Sequence, residues 1–478
     1  MTTPTESKGP NKDIPQPQVR SPAVQLQRIF TPRDELRPQR WNWHLLTRRM
    51  DYSIRRSSRT PLAPHQVRGL RYFLFDGLFS SFSENLAVTF IPLFALAFGA
   101  TNSEIGILTA AGNLLGTISL FPGARSAELA KSRKAVVLWT GGGVSRLMFV
   151  VLTVLPLFVL PRGAAVWIII IVTAVRAFMN NFANPPWTEM VAGLVPSAMR
   201  GKYFTSRGQM MGIAALIAAP LGGWVIRALN TGTGNTHIGY QAVFLGSLVF
   251  GAASTLAFSR IPEPVDKARR PPHQRGDLRK ALRSSPQFTA FIAGAFFWNL
   301  SIQVAGPFFN VYMVSELKTG IEIVGYATGL TSLATLVGQY LFGKLLDTKG
   351  SFWVQRLNGL IIPVLPALWM IAREPYQVYI ISLLSGIFWG GYNLSNFNLL
   401  LEYSPNEQRP RAVALYQTVV FSSAVIGPVL GGYLIDTFSF RLCFGASSVG
   451  RYIGIGLFLL LFKVLVGRAK GNQQPLHE

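Results

Sequence analysis

Residues 184–204 read NPPWTEMVAGLVPSAMRGKYF, and residues 393–413 read NLSNFNLLLEYSPNEQRPRAV. Asn184 falls opposite Asn393, Pro196 opposite Pro405 and Arg200 opposite Arg409, each pair offset by 209 residues. The register runs on into LGGWVI from Leu221 and LGGYLI from Leu430, again offset by 209. Four landmarks at one offset mark an internal repeat, one folded unit built twice. A second register, offset by 219, relates Gly106 to Gly325, Arg125 to Lys344 and Glu128 to Asp347, so a few residues are gained or lost between the halves.

Composition says what each copy is made of. Of 478 residues, 49% are hydrophobic and 14% charged, a balance that suits a membrane protein and not a soluble enzyme of this length. Apolar runs of about 20 residues, long enough to cross the hydrocarbon, recur from residue 71 to 466. The expected spans are about twelve: 71–98, 104–125, 134–160, 164–184, 205–228, 239–259, 288–313, 321–345, 353–372, 376–400, 411–435 and 441–466. With no water to satisfy the backbone, only helices or closed barrels cross lipid, and these runs are too long and too uniformly apolar for barrel strands. The expected fold is therefore an all-α integral membrane protein of two six-helix bundles, 71–259 and 288–466, between a basic tail (1–70), a basic loop (260–287) and a short C-terminal tail (467–478).

The formal charge of +24 would suggest nucleic acid in a soluble chain, but here its placement gives topology. Arginines crowd the N-terminal tail and the 260–287 loop, and further cations (Arg125, Lys131, Arg133, Lys134, Arg200, Lys202, Lys344, Lys349, Arg409, Arg411) fall in short connections on the same side. The positive-inside rule then puts both termini in the cytoplasm of a multi-pass plasma (inner) membrane protein. The lone Cys443 excludes an intramolecular disulfide, and the five histidines fall outside the spans, so no metal and no cofactor is expected. Residues 1–30 lack an apolar core with a cleavage site, and the first span is expected to direct insertion itself. The stretch RPQRWNWHLLTRRMDYSIRR, 37–56 of the tail, mixes aromatics with arginines and suits either an anionic membrane surface or plain solvent.

Two parallel six-span repeats joined by a long loop are the design of a large transporter class, in which one bundle rocks against the other. The chain resembles the major facilitator superfamily over residues 71–466. GKLLDTKG, Gly343 to Gly350, looks like that superfamily's loop signature of Gly, three residues, Asp, two residues, Gly, although Thr348 stands where Arg is usual and Ser351 where a second basic residue is common. The resemblance implies a gate on that side from Gly343, Asp347 and Gly350, with Arg125, Glu128, Arg200 and Arg409 at related positions. GPVLGG, Gly427 to Gly432, is similar to a family antiporter signature, though it lies in the eleventh span and not the fifth. Close helix packing also accounts for it.

Four charged residues stand out inside the spans: Glu84, in FSSFSENLAVTF (79–90), Arg146, Arg176 and Arg451. A charge at the centre of a membrane helix costs roughly 2.5 to 3.5 kcal/mol on insertion scales, so each needs a partner or a wet cavity. RAFMNNFANPP around Arg176 resembles the superfamily's fourth-helix signature, except that Asn180 replaces a glycine, and the resemblance implies an arginine facing the cavity and linked to proton movement. Glu84 is expected to pair with Arg176, with Arg146 the rival partner, and to carry a proton, touch the solute or hold helices together. At the 219 register Glu84 meets Gln303, so the halves are expected to differ. Asn85, Asn180, Asn184, Asn299, Gln303, Asn393 and Asn396 are further cavity candidates, and Phe297, Trp298, Phe388 and Trp389 are possible aromatic linings.

The expected function is secondary transport of a small-molecule solute, proton-coupled and exporting, by a monomer in a lipid bilayer, with no nucleic acid partner. A transporter-derived sensor using the basic tail is one alternative. A membrane-embedded enzyme or lipid-handling protein is another, weakened by the absence of a catalytic motif or a large extramembrane segment.

Overall fold

The structure is a computed structural model that describes residues 51, 54, 62–196, 199–263, 286–404 and 409–471. Much of the 37–56 stretch, the whole 264–285 link and the last tail residues lie outside the described set. The architecture is helical throughout, in chain order α1 (Pro64–Ala97, broken at Val88–Phe90), α2 (Asn102–Leu129), α3 (Arg133–Leu157), α4 (Arg162–Phe182, continued by Asn184–Leu194), α5 (Arg200–Thr233) and α6 (Ile238–Ser259). The second half repeats them as α7 (Pro286–Ala305, continued to Ser315), α8 (Ile321–Lys349), α9 (Ser351–Ile361 and Val364–Ile371), α10 (Pro375–Tyr403), α11 (Arg409–Thr437) and α12 (Phe440–Gly471). Among the described residues eleven of these are long and apolar enough to cross a membrane, and α10, at 29 residues, has the length to do so. The face carrying the ends at Pro64, Ser259, Pro286 and Gly471 is here the terminal face, and the other is the distal face.

Several helices begin or end beyond the expected spans. α1 starts at Pro64, taking in residues assigned to the tail, and α5 starts at Arg200 rather than 205. The loops left by the expected spans, 126–133 and 346–352, are shorter, because α2 runs to Leu129 and α8 to Lys349. Amphipathic polar turns continue a membrane helix past its apolar core, which a hydropathy window does not register.

Prolines shape the helices where the site forms. Pro92 and Pro307 lack an N–H and crowd the preceding turn, so α1 and α7 each pass through one turn of 3-10 helix, at Val88–Phe90 and Gly306–Phe308. In α3 the run Gly141, Gly142, Gly143 lies within a π-helical stretch, Leu138–Val144. Such widened turns concentrate at functional sites, and this one ends just before Arg146.

The halves meet through small residues. A Cβ on Gly106 of α2 would lie 2.3 Å from the Pro428 carbonyl oxygen of α11, and one on Gly325 of α8 would lie 2.5 Å from the Ala219 carbonyl oxygen of α5. Glycine lets these backbones touch, as small residues do wherever membrane helices cross closely. Hydrogen bonds add to the contact: Asn113 Nδ2 donates to the Ala424 carbonyl at 2.8 Å, and Arg227 Nη1 to Glu322 Oε1 at 2.7 Å. These close approaches fall in the distal halves of the four helices. Toward the terminal face the same helices present exposed side chains, Phe121 and Leu129 on α2 and Tyr340 and Leu341 on α8.

Asp436 at the end of α11 fastens the distal closure. Its carboxylate accepts hydrogen bonds from the first two amides of α2, Asn102 N at 3.2 Å and Ser103 N at 2.7 Å, and from Asn102 Nδ2 at 2.9 Å. Thr101 Oγ1 accepts from Glu104 N at 3.2 Å, so one bundle helps cap a helix of the other. Asp436→Asn is expected to weaken distal closure by about 1 kcal/mol, roughly a fivefold change in population. Distances between spin labels on Leu129 and Tyr340 would report it, and an unchanged distribution would show that this cap does not bias the two states.

Candidate functional site

Three helices of the N-terminal bundle bring their charges to one point. Glu84 Oε1, from α1, accepts hydrogen bonds from Arg146 Nη1 of α3 at 2.8 Å and Arg176 Nη1 of α4 at 3.1 Å, and its Oε2 lies 3.0 Å from Arg176 Nη1. The rival partners are therefore both partners. Asp76, Ser80, Ser83 and Glu84 share one side of α1 at spacings of four, three and one residues, so the helix period gathers them under the guanidiniums. Arg146 also donates to Ser83 Oγ and Ser80 Oγ, each at 3.0 Å.

The surrounding packing fixes both arginines. A Cβ on Gly251 of α6 would lie 2.8 Å from Arg146 Cδ, so the glycine leaves the channel the side chain occupies. Arg176 places its guanidinium carbon 5.1 Å from the Phe149 ring centre, a favourable cation–π arrangement. Two guanidiniums, each about nine-tenths buried, thus face one carboxylate that is 29% exposed. The cluster carries a net positive charge.

A second pair lies closer to the terminal face. Arg207 Nη2 of α5 is 3.4 Å from Asp76 Oδ2, Ser254 Oγ donates to Asp76 Oδ1 at 2.8 Å, and the guanidinium sits 4.2 Å from the Phe73 ring centre. The spans as read from hydropathy put both residues near span ends, where charge is ordinary. With α1 starting at Pro64, Asp76 is instead about 18 Å along the helix, at 1.5 Å per residue.

Three cavities lie in this region, and the first is lined by members of both charged clusters. One of about 390 Å³ within the N-terminal bundle is lined by Asp76, Ser80, Arg146, Asn180, Asn184 and Arg207 among others. A second, about 400 Å³, lies between the bundles against the kinks at Pro92 and Pro307, with Asn113, Asn181, Asn310 and Phe421. The third, about 350 Å³, is inside the C-terminal bundle and includes Asn310, Trp389 and Arg451. Asn181 borders the first two cavities and Asn310 the last two, so the three adjoin in a row.

Of the seven expected cavity residues, Asn180 and Asn184 line the first cavity. Asn85 instead bonds back to the Ser81 carbonyl and Asn299 to the Ala295 carbonyl, each at 2.8 Å, which is how a helical amide satisfies its donors without water. Asn396 donates to Tyr416 Oη at 2.7 Å, Asn393 is exposed, and Gln303 packs against Gly427 where α7 crosses α11. Among the aromatics, Trp389 lines the third cavity, whereas Trp298 stacks on Tyr392 at 4.9 Å and Phe297 is exposed. Among the described residues no group of three or more His, Cys, Asp or Glu could hold a metal ion.

The gate residues are placed differently from the loop pictured in the sequence. Arg125 and Glu128 lie in the last turns of α2, and Gly343 and Asp347 in those of α8, with Gly350 just beyond at a φ of 82°. Arg125, Glu128 and Asp347 are exposed, and no hydrogen bond or ion pair joins them to a described residue. Arg200 opens α5 and donates to the Val195 carbonyl at 3.4 Å, while the side chain of Arg409 lies outside the described residues. The charged contacts formed on this face are others: Arg133 Nε pairs with Glu189 Oε2 at 2.9 Å, and Glu263 accepts from Ser132 Oγ at 2.7 Å and Arg133 N at 2.6 Å.

Comparison with known proteins places this geometry. The Multidrug resistance protein MdtG of Dickeya zeae (strain Ech586) is 27% identical over 174 residues, which is 35% of this chain and 41% of that protein. The multi-drug resistance efflux pump PmrA of Streptococcus pneumoniae serotype 4 (strain ATCC BAA-334 / TIGR4) is 25% identical over 176 residues, 36% of this chain and 42% of the pump. The chain is thus aligned with well under half the length of either. A bacterial homologue of the human lysosomal transporter Spinster, inward-facing and unoccupied, shares the fold with a TM-score of 0.67 at 12% identity, covering 85% of this chain and 99% of that one. The family model for the Major Facilitator Superfamily matches residues 74–391 and 294–475, and with the doubled six-helix bundle and its proline-kinked central cavity this establishes that the chain belongs to that superfamily.

Proposed function

We propose that this chain is a secondary transporter that exports a small solute across a bacterial inner membrane, working as a monomer by alternating access and coupled to protons through Glu84. The observation that carries the reading is the Glu84 carboxylate bridged by Arg176 and by Arg146, which itself lines the N-terminal bundle's cavity. Neutralising Glu84 removes the charge that ties α1 to α3 and α4, so proton uptake and helix separation are linked. Distal closure through Gly106, Gly325 and Asp436 corresponds to the inward-facing state if the basic terminal face is cytoplasmic, as the positive-inside rule directs. In that state no described residue pairs with Asp347 or Glu128, and they are assigned to the gate that forms when the terminal face closes. Export is favoured by the likeness to PmrA, which is named an efflux pump.

The test is a ligand-stability screen on purified protein, with hits carried into proteoliposomes under an imposed pH gradient. Glu84→Gln is expected to cut gradient-driven transport by at least about tenfold while retaining solute exchange. Undiminished gradient-driven transport by this variant would remove Glu84 from proton coupling.

A further inference from the structure

The two bundles are built alike around one crossing and then differ in charge. In the first, Ser247 Oγ of α6 donates to the Ser83 carbonyl of α1 at 2.7 Å, and in the second Ser447 Oγ of α12 donates to the Ser301 carbonyl of α7 at 2.6 Å. These equivalent crossings shift the 219-residue register by one, so the counterpart of Glu84 is Ile302 rather than Gln303. Four residues after the crossing serine stands Gly251 in α6, where Arg146 lies, and Arg451 in α12. Both bundles therefore hold an arginine near this crossing. The first supplies it with a carboxylate, and the second puts isoleucine in that place.

Among the described residues Arg451 has no counter-charge. It is 2% exposed, no described residue forms an ion pair with it or accepts a hydrogen bond from it, and its Nε is buried without a partner. An uncompensated guanidinium in a protein interior is strongly disfavoured, and inside a membrane such a group points to a ligand or an ion path. Arg451 lines the C-terminal bundle's cavity of about 350 Å³ together with Ile302, Asn310, Thr331, Ser382 and Trp389, and its guanidinium carbon is 6.0 Å from the Trp389 ring centre. The hydroxyl and amide groups there can serve a polar ligand, and the indoles of Trp369 and Trp389 an apolar one.

We propose that Arg451 binds the anionic group of the transported solute, a small organic anion whose apolar or aromatic body lies against Trp389. The assignment rests on the transporter reading above and adds the substrate class to it. Arg451 lies eleven residues from the start of α12, about 16 Å along the helix, which is the middle of a hydrocarbon core about 30 Å thick. A lipid phosphate belongs at the headgroup level, so the anion comes from a solute. Asn310 also borders the cavity between the bundles, so a solute held on Arg451 adjoins the alternating-access route. The N-terminal cluster, with two arginines to one acid, adds positive potential on the same route.

The test compares 1-naphthoate with its neutral analogue 1-naphthamide on the full chain in maltoside detergent and phosphate-free buffer, read by tryptophan quenching and thermal shift. The wild type is expected to bind the carboxylate at least about tenfold more tightly than the amide. Arg451→Gln removes that preference, and Arg451→Lys keeps part of it. Without ligand, Arg451→Gln melts no lower than the wild type, because it removes a buried charge that no described residue pairs. The proposal is overturned if the wild type does not bind naphthoate or does not prefer it, if Arg451→Gln keeps the preference, or if the ligand-free variant melts well below the wild type. Transport in proteoliposomes is scored separately. Charge preference without transport counts against the transporter reading alone, and transport without charge preference counts against Arg451 alone.

Discussion

Replacing Glu84 with alanine is expected to lower the stability of the folded protein by about 3–5 kcal/mol, the cost typical of breaking a buried ion pair from one side. The reason lies in what remains. Arg146 and Arg176 each place about nine-tenths of the side chain out of solvent and both rely on Glu84, so the alanine variant keeps two mutually repelling guanidiniums with no carboxylate. Ser80 and Ser83 still accept hydrogen bonds from Arg146 but carry no charge to offset it. Adding Arg176→Gln to Glu84→Ala should recover part of the loss, since one unpaired charge is then gone. Thermal or denaturant melts of the single and double variants check this. A single variant as stable as the wild type would show that the two arginines do not depend on Glu84.

Gly325→Val is expected to abolish transport while leaving each bundle folded. The new side chain meets the Ala219 carbonyl of the other bundle, where even a Cβ would lie 2.5 Å from the oxygen, and neither backbone can yield without parting α5 from α8. Overpacking of this kind typically costs 1–3 kcal/mol, and here the cost falls on the distal-closed state, so its population should drop by about tenfold or more. Gly456→Val is the control, because nothing lies within 4 Å of a Cβ at that position. Spin-label distances between Leu129 and Tyr340 should shorten in Gly325→Val as the terminal face closes, and stay as in the wild type in the control. Cys443 is buried and is the sole cysteine, so it gives little background labelling.

The fold was legible because its evidence is long and repetitive. Apolar runs repeated at a fixed offset carry their meaning in one dimension, and 184–204 against 393–413 is enough to double the bundle. Glu84, Arg146 and Arg176 were legible for a related reason: a charge in an apolar run has few explanations. Asp76 and Arg207 escaped because their significance depends on where helices begin, and the polar turns from Pro64 and Arg200 look like tail and loop. Asn85 and Asn299 misled for the opposite reason. Whether Asn85 or Asn299 faces a cavity or bonds its own helix depends on rotamer and neighbours that spacing does not encode. Asp436 had no signal in its own segment, since the amides it caps lie more than 300 residues away.

Whether the charge on Glu84 decides how the two bundles sit can be measured without knowing the solute. Label pairs across the distal and terminal faces, read by pulsed electron spin resonance over a pH series, should show distal-closed molecules giving way to terminal-closed ones as acid neutralises Glu84. Glu84→Gln should fix the distribution across the series, and Asp76→Asn, the other carboxylate in this bundle's charged clusters, should leave the wild-type response in place. A wild-type pH response that persists unchanged in Glu84→Gln would show that a group other than Glu84 sets the equilibrium.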